Sequence, residues 1–420
     1  MIRKYLSITL AFVFTSAFAQ DKIIVPSDLP MSVRMVKSEM HRCPKGWQLD
    51  FQKQPKWDYC HGVEMKGFLE VSEMYRDTVV YAYVRDFCNQ MTHDDGTVET
   101  YRPYELSLDR INTAKLFFKM YWKTGDDKYR RAIDKFRMQF DFQPRTSEGG
   151  YWHKMVYPNQ MWLDGMYMAQ PFYAEYNRRF GKLREWQECI KQFKIIDKHT
   201  FDPVTGWNRH AWDEKATQRW ANPTTGQSAH AWGRANGWYA MALVDVLQQM
   251  PEDIKNRGVL VEIFKRVAKQ IRDKQDPKTG LWYQVLDRPG DEGNYFESSV
   301  SAMFIYTLYR GVFQGLLDES YLDAAEKGYD GFMKEFVDVQ ANGLVNIKKC
   351  CAVAGLGGRP YRMGDYKYYI EEAVRDNDPK AVGPFISLCI ERERLAMRAQ
   401  KASAVSKKIA QRVAKKVKSK

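Results

Sequence analysis

The sequence predicts an all-α protein whose helical hairpins close into an α/α barrel. Apolar residues recur at helical spacing in one segment after another from residue 62 onward. The connections between these segments repeat one another, and successive helices alternate between apolar and charged composition. Stacked hairpins with one shared core are typical of repeat architectures, and such a core can hold a chain of 420 residues.

Each predicted helix is bounded by turn-forming residues. A first helix is expected around residues 31–40, ahead of a loop that contains Pro and Trp. The later helices are predicted at 62–76, 78–91, 105–123, 127–141, 160–180, 183–199, 229–250, 253–273, 294–314, 318–336 and 377–398. Strand-like alternation is brief and falls only in the connections.

Two connections carry the same turn sequence. Asp202-Pro-Val-Thr-Gly-Trp207 and Asp276-Pro-Lys-Thr-Gly-Leu-Trp282 lie 74 positions apart, and looser versions occur at 149–152 and 343–344. Asp-Pro-x-x-Gly favours a tight turn out of a helix, and the aromatic segment after it leads to the next helix. This recurrence predicts about one helical pair per unit.

Alternate helices differ in composition. Those predicted to begin at 160, 229 and 294 are rich in Ala, Met, Gly and aromatic residues, whereas those at 183, 253 and 318 carry Lys and Glu throughout. We therefore expect the first set to form an inner ring and the second an outer ring. The starts of the inner helices and the aromatic loops should then gather at one end of the barrel.

The N-terminal pattern predicts an export signal over residues 1–20. Arg3 and Lys4 precede an apolar stretch at 6–14 and a small-residue cleavage site, Ala17-Phe-Ala19. The apolar stretch is too short to span a bilayer, and no other stretch is long enough. The expected mature protein is soluble and exported, most simply to a periplasm, with one catalytic barrel domain at 21–398 and a basic tail at 399–420.

The net charge of +13 is concentrated at the termini. Residues 401–420 carry eight basic and no acidic side chains, and the signal carries two more basic residues, so the rest of the chain has a net charge of +3. This distribution favours a solvated basic tail over a nucleic-acid-binding surface. Neither a nucleic-acid partner nor stable membrane insertion is expected, and the sequence leaves the oligomeric state open.

The seven cysteines do not form a recognisable metal motif. In an oxidising compartment Cys43 and Cys60 could close a loop, but the sequence alone does not assign pairs. No Cys/His cluster has zinc spacing, and there is neither a glycine-rich phosphate loop nor a G-x-S-x-G elbow.

The stretch at 151–168 places a single carboxylate, Asp164, among Trp, Tyr and Met residues. Such surroundings solvate a charge poorly and favour the protonated acid, which is the form that a general acid needs. The alternative is that the aromatic residues are core and that Asp164 only interacts with the helix dipole. Trp162, His153 and Lys154 nearby favour a sugar-binding cleft.

Further polar residues occur where inner helices are expected to begin. Asp109 lies on the helix predicted from Glu105, His210 follows a glycine turn, and Trp232-Gly-Arg-Ala-Asn-Gly-Trp238 starts another helix. In a closed barrel these loops converge on one pocket. Asp109 could instead pair with a helix neighbour, His210 could be a structural hydrogen bonder, and Arg234 could form an inner-face ion pair.

Four ordered motifs carry a family resemblance over residues 57–389. They are Trp57-Asp-Tyr59 with Gly62-Val63, Tyr157-Pro-Asn-Gln-Met-Trp-Leu-Asp-Gly-Met-Tyr-Met168, Trp232-Gly-Arg-Ala-Asn-Gly-Trp238, and a C-terminal block. That block contains Ala354-Gly-Leu-Gly357, Tyr368-Tyr369, Asn377-Asp-Pro-Lys380 and Val382-Gly-Pro-Phe385. The chain resembles the unsaturated rhamnogalacturonyl hydrolases, close kin of the unsaturated glucuronyl hydrolases.

The resemblance implies a barrel of six helical hairpins that removes a terminal 4,5-unsaturated uronic acid from a short oligosaccharide. It implies Asp164 as general acid/base and Asp109 as assisting carboxylate, with no metal or organic cofactor. The implied substrate contacts are Tyr59, His153, Lys154, Trp162, His210, Trp232, Arg234 and Trp238. The segment before Cys60, the Cys350-Cys351 pair and the basic tail depart from the family and leave subsite preference open.

The expected reaction is hydration of a vinyl ether, which differs from the ordinary two-carboxylate schemes. Protonation of C4 by Asp164 leaves an oxocarbenium-like centre at C5, and water adds there. The first hypothesis is a galacturonyl end on rhamnogalacturonan fragments. The alternatives are a glucuronyl end from glycosaminoglycan or another lyase product, a non-catalytic sugar-binding barrel, and an epimerase on the same architecture.

Overall fold

The computed structural model describes residues 24–418, with side chains as far as residue 404. The predicted export signal at 1–20 therefore lies outside the described residues. Within the described part of the chain, no helix combines the length and apolar character that crossing a membrane requires.

The described chain is organised by thirteen α-helices. They are α1 (Met31–Arg42), α2 (Tyr59–Tyr75), α3 (Thr78–Met91), α4 (Lys115–Thr124), α5 (Asp127–Phe142), α6 (Leu163–Phe180), α7 (Trp186–Thr200), α8 (Gly233–Gln249), α9 (Arg257–Asp273), α10 (Ser298–Phe313), α11 (Tyr321–Glu335), α12 (Tyr366–Glu371) and α13 (Pro379–Lys418). Four 3-10 helices lie between them, at Gly46–Phe51, Pro103–Glu105, Leu108–Ala114 and Leu183–Glu185.

The helices form an (α/α)6 barrel, as predicted. An inner ring consists of α2, the 3-10 helix Leu108–Ala114 with α4, and then α6, α8, α10 and α13; each packs on the next, and α13 closes the ring onto α2. The outer layer consists of α3, α5, α7, α9 and α11, and α1 completes the sixth pair by packing on α13. The sixth helical pair of the barrel is thus formed by the first and last helices of the described chain.

Burial separates the two layers as composition predicted. Every residue of α8 from Gly233 to Leu247 and of α10 from Ser298 to Val312 is buried. In α9 the buried residues are confined to one stripe, at Leu260, Phe264, Val267, Ala268 and Ile271. The 3- and 4-residue spacing of that stripe is that of a helix with one face on the core.

The repeated turns have the same hydrogen bonds. The carbonyl of Asp202 accepts from the amide of Gly206 at 2.8 Å, and that of Asp276 accepts from Gly280 at 2.9 Å. Each aspartate side chain also accepts from backbone amides two or three residues on. Both glycines have φ near +75 to +79°, a conformation that favours glycine, which explains why the same residue ends both turns.

The strands all lie in connections, as three antiparallel pairs. They are β1 (Gln160–Trp162) with β2 (Ala211–Asp213), β3 (Val337–Val339) with β4 (Val345–Ile347), and β5 (Cys350–Cys351) with β6 (Val374–Arg375). The predicted helix start at residue 160 is wrong. Residues 160–162 instead pair with β2, and α6 begins at Leu163, whose amide donates to the His210 carbonyl at 3.1 Å.

Two other predicted boundaries change. The segment 105–123 is not one α-helix, because Leu108–Ala114 is a 3-10 helix that leads into α4. At the other end, α13 does not stop near residue 398 but continues to Lys418. All seven cysteines, including Cys43 and Cys60, are free thiols.

Candidate active site

The predicted site residues lie on elements that begin at the same end of the barrel. Tyr59 is the first residue of α2, Asp109 lies in the first turn of the 3-10 helix, Asp164 in the first turn of α6, and Arg234 in the first turn of α8. Helix N-termini carry partial positive charge. Their convergence makes this end of the barrel favourable for an anionic ligand.

A cleft of about 590 Å³ opens there. Its border includes Tyr59, Tyr104, Asp109, Lys154, Met155 and Val156. Tyr104, Met155 and Val156 are more than half exposed, with relative exposures of 73%, 51% and 73%. The cleft therefore has a charged inner wall and an open, apolar rim, and its volume is in the range of ligand-binding pockets.

Asp109 is held as a carboxylate on the inner wall. Lys154 Nζ lies 2.5 Å from its Oδ2, and His153 Nε2 lies 3.3 Å from its Oδ1. Burial acts to raise the pKa of Asp109, but the Lys154 ammonium outweighs it and lowers that pKa below its ordinary value. Burial likewise acts against the Lys154 ammonium, but Asp109 raises its pKa. The partners of Asp109 thus come from another loop, not from a helix neighbour.

His153 is a buried and neutral imidazole. Burial lowers its pKa to about 4, against the opposing effect of Asp109. One ring face stacks on Trp162, with centroids 4.7 Å apart and planes within 8°. At the edge of the ring the backbone of Gly165 approaches so closely that a β-carbon there would lie 2.9 Å from His153 Nδ1. The ring is therefore held by Trp162 on one face and by Gly165 at its Nδ1 edge.

Asp164 faces a second imidazole. Its Oδ2 lies 3.2 Å from His210 Nε2, and His210 Nδ1 lies 2.8 Å from the Tyr369 hydroxyl. Burial raises the pKa of Tyr369 well above its ordinary value, so its hydroxyl keeps its proton. Among the described residues no group is aligned to donate a hydrogen bond to Asp164 Oδ2. One oxygen of Asp164 is thus near an imidazole but not engaged in a fixed hydrogen bond.

Aromatic rings enclose the two imidazoles. Trp162 stacks on His153 and on Tyr157, whose ring lies 4.9 Å away, and meets His210 edge-on at 5.4 Å. The His153 and Tyr157 rings are parallel and 6.4 Å apart, so they lie side by side against Trp162. Trp232 packs 4.8 Å from His210. These rings exclude water from the imidazole faces, which strengthens the electrostatic interactions among them.

Trp238 and Arg234 lie deeper than the cleft. Trp238 is 1% exposed and stacks on Tyr167 at 4.7 Å in the barrel interior, which is a core position. Arg234 is also 1% exposed. Its Nε donates to Ser299 at 2.8 Å and its Nη2 lies 3.4 Å from Glu297, so the ion-pair interpretation of Arg234 describes its position. The cleft border includes neither of these side chains, and it also lacks five other predicted site residues, His153, Trp162, Asp164, His210 and Trp232.

Several residues that complete the site have no role assigned from the sequence. Tyr369 contacts His210, Tyr157 stacks on Trp162 beside His153, and Gln284 accepts a hydrogen bond from Trp232 Nε1 at 3.1 Å. Tyr157 and Tyr369 both belong to the motifs that carry the family resemblance, and this was the sequence signal by which they could have been found. Gln284 had none, because only the fold brings its loop beside α8.

Tyr59 completes the inner wall. Burial, with Cys60 and Asp109 nearby, raises its pKa well above the ordinary value, so it acts as a neutral hydroxyl.

Among residues 24–418, no group of three or more His, Cys, Asp or Glu side chains is arranged to hold a metal ion.

The chain matches the model of Glycosyl Hydrolase Family 88 over residues 31–396. It is 37% identical over 225 residues to Protein Atu3128 of Agrobacterium fabrum, covering 52% of this chain and 95% of that one. It is 29% identical over 258 residues to the unsaturated rhamnogalacturonyl hydrolase YesR of Bacillus subtilis, covering 60% and 70%. A solved glycoside hydrolase of family 105 from C. acetobutylicum ATCC 824 has a TM-score of 0.84 and 37% identity, covering 87% of this chain and all of that one.

Proposed function

Because the chain belongs to Glycosyl Hydrolase Family 88, we propose that it removes a terminal 4,5-unsaturated galacturonyl residue from rhamnogalacturonan-derived oligosaccharides. The observation that carries this proposal is the pair of unlike carboxyl groups at the end of the barrel where the cleft opens. Asp109 is held ionised by Lys154, whereas Asp164 has an oxygen 3.2 Å from His210 and no aligned donor for it. Acid and base roles are separated in this way in many hydrolytic sites.

The proposed reaction begins with proton transfer from Asp164 to C4 of the unsaturated uronate. The C4=C5 electron pair forms the new C–H bond and leaves positive charge shared by C5 and the ring oxygen. Water then adds to C5, and the Asp164 carboxylate takes the proton that the water loses. One carboxyl group thus acts first as acid and then as base.

The product of hydration is a hemiketal at C5, which opens to a ketone. The ring oxygen becomes the hydroxyl of a hemiacetal at C1, and this hemiacetal releases the rest of the oligosaccharide as an alcohol. No displacement at the anomeric carbon is needed, so the carboxyl separation that distinguishes retaining from inverting enzymes does not apply.

Neighbouring residues have supporting roles in this scheme. In this scheme the Tyr369 hydroxyl donates to His210 Nδ1, so that the imidazole carries its proton on Nε2, 3.2 Å from Asp164, and stabilises the carboxylate after proton transfer. The ionised Asp109, 3.3 Å from His153, stabilises the positive charge that develops on the sugar ring. Trp162 provides the face against which the sugar ring packs.

Substrate choice is expected to depend on the sugar after the scissile bond. Galacturonic and glucuronic acids differ at C4, and that difference disappears when C4 and C5 become trigonal. A galacturonyl end and a glucuronyl end therefore present the same unsaturated ring. The open rim at Tyr104, Met155 and Val156 is where the following sugar would contact the protein, and the similarity to YesR favours rhamnose there.

The test is loss of the unsaturated uronate absorbance with rhamnogalacturonan and glycosaminoglycan disaccharides in turn. We expect decay with the first, and Asp164→Asn should lower kcat by about 10²–10⁴, the usual contribution of general acid–base catalysis. Asp141→Asn is the matched control, because Asp141 is exposed on the outer helix α5. No decay with either substrate would disprove the hydrolase, and full activity of Asp164→Asn would exclude the role of Asp164.

We propose in addition that the protein is exported to a periplasm, as the N-terminal residues predict. Cell fractionation and N-terminal sequencing of the mature chain are the tests. A mature chain that retains Met1, or one found only in the cytoplasm, would refute export.

A further inference from the structure

A second cavity of about 400 Å³ lies between the inner helices at the other end of the barrel. It is bordered by the C-terminal halves of α6, α8 and α10, which contribute Glu175, Asp245 and Arg310. Asp164 and Glu175 are eleven residues apart on α6, which is about 16 Å at 1.5 Å per residue. The cavity is therefore separate from the cleft.

Basic side chains predominate around this cavity. They are Lys66, Lys115, Lys119, Arg179, Arg310 and Arg394. Five of the six have a carboxylate partner, for example Lys119 with Glu73 and Arg179 with Glu175. Among the described residues Lys115 has none.

The Lys115 ammonium is buried without a hydrogen bond. Its stem is partly exposed, but Nζ is inaccessible to solvent and meets no acceptor among the described residues. It lies 4.2 Å from the centroid of the Tyr167 ring, which supplies only part of the lost solvation. An unpaired buried ammonium is costly, so the cavity has an unmet requirement for an anion.

Carboxylate oxygens with unfilled hydrogen-bonding capacity lie in the same cavity. Glu70 Oε2 and Asp245 Oδ2 are buried and accept no aligned hydrogen bond within the described part of the chain, and Asp245 Oδ2 lies 3.5 Å from Lys66 Nζ. Asp245 Oδ1, in contrast, accepts from the Tyr306 hydroxyl at 2.5 Å. Buried carboxylate oxygens in this condition require hydroxyl or N–H donors.

The titration of Lys115 agrees with this geometry. Burial, with Lys66 nearby, lowers its pKa to about 7. The charged and titratable groups that face it are Lys66 and Glu70 on α2, Tyr167 and Glu175 on α6, and Asp245 on α8. The three carboxylates oppose the shift without cancelling it, so a bound anion would draw a proton onto Lys115 near neutral pH.

We propose that this cavity binds a small hydroxylated carboxylic acid, of the size of a monosaccharide sugar acid. The Lys115 side chain, which is partly exposed along its aliphatic part, turns its ammonium toward the ligand's carboxylate, and the ligand's hydroxyl groups donate to Glu70 and Asp245. Inorganic phosphate fits less well, because its second negative charge would face the two carboxylates. It also lacks the several hydroxyl groups that could donate hydrogen bonds to both carboxylates. The inference is independent of which oligosaccharide the cleft accepts.

The experiment is isothermal titration of the full chain with galacturonic acid, galactose and inorganic phosphate. We expect galacturonic acid to bind and the other two not to bind. Because the ligand requires the protonated ammonium, its affinity should fall about thirtyfold from pH 6 to pH 8.5, given a Lys115 pKa of about 7. Lys115→Met should abolish binding, while Lys123→Met, in the exposed last turn of α4, should not change it.

The design separates this cavity from the cleft. Lys115→Met removes an unpaired buried charge and keeps an apolar stem, so it should fold and retain hydrolase activity. Binding that survives in Lys115→Met but is lost in Lys154→Met would place the sugar acid in the cleft and overturn the proposal. Equal binding of galactose, binding of phosphate alone, or no binding of galacturonic acid at pH 6 would also overturn it.

Discussion

Substitution of Gly165 tests whether the position of His153 controls activity. In most helices Gly→Ala is stabilising by about 0.5–1 kcal/mol. Here the added β-carbon would lie 2.9 Å from His153 Nδ1 and 3.2 Å from Leu108 Cδ1. Ordinary contacts between non-bonded carbons are about 3.5–4.0 Å, so the imidazole must move by about 0.5–1 Å.

The ring has little room to make that movement. Trp162 is stacked on one face at 4.7 Å, and the 3.3 Å approach to Asp109 would change with any shift. Overpacking of this kind costs about 1–3 kcal/mol, so we expect Gly165→Ala to lower the free energy of unfolding, opposite in sign to the usual effect. A displacement near 1 Å can cost about a hundredfold in rate, and we expect kcat/KM to fall by about ten- to a hundredfold.

The assays are denaturant unfolding and decay of the unsaturated uronate absorbance. Gly258→Ala is the matched control, because nothing lies within 4 Å of a β-carbon at that position of α9. It should leave activity unchanged and stability unchanged or slightly raised. Wild-type stability and activity in Gly165→Ala would refute the argument that His153 is fixed by this close approach.

Three further predictions concern ion pairs and thiols. Lys154 holds the pKa of Asp109 below its ordinary value. The Asp109 carboxylate therefore stabilises the folded protein above about pH 4, and this stability is lost as the pH falls through the lower folded pKa. The unfolding free energies of wild type and Lys154→Met should differ at pH 7 and converge near pH 2. Glu297 is fully buried with Arg234. Glu297→Gln should therefore lower the unfolding free energy by about 3–5 kcal/mol, which is the cost of breaking a buried pair. An unchanged unfolding free energy in denaturant would contradict the pairing. Of the seven free thiols only Cys43 is partly exposed. An alkylating reagent should therefore modify Cys43 first in the native protein, and it should modify all seven thiols after unfolding in denaturant without reductant. Mass spectrometry measures the modified positions.

The sequence by itself determined the architecture and the identity of the main polar residues. Helical spacing, the two Asp-Pro-x-x-Gly turns and the alternating composition of the helices were sufficient for an α/α barrel, because each is a local consequence of which face a helix buries. The stretch around Asp164 also indicated a carboxyl group among aromatic rings. These signals are contained within short windows of the chain.

Only the tertiary structure decided which groups touch. Residues 160–162 fit a helical pattern, yet they form a strand because their backbone partners are at 211–213, some fifty positions away. Arg234 and Trp238 share a motif with Trp232, but closing the inner ring packs them against Glu297 and Tyr167. The contacts of His210 with Tyr369 and of Asp109 with Lys154 likewise join distant segments, and local spacing carries no information on such pairs because ring closure alone sets their distance.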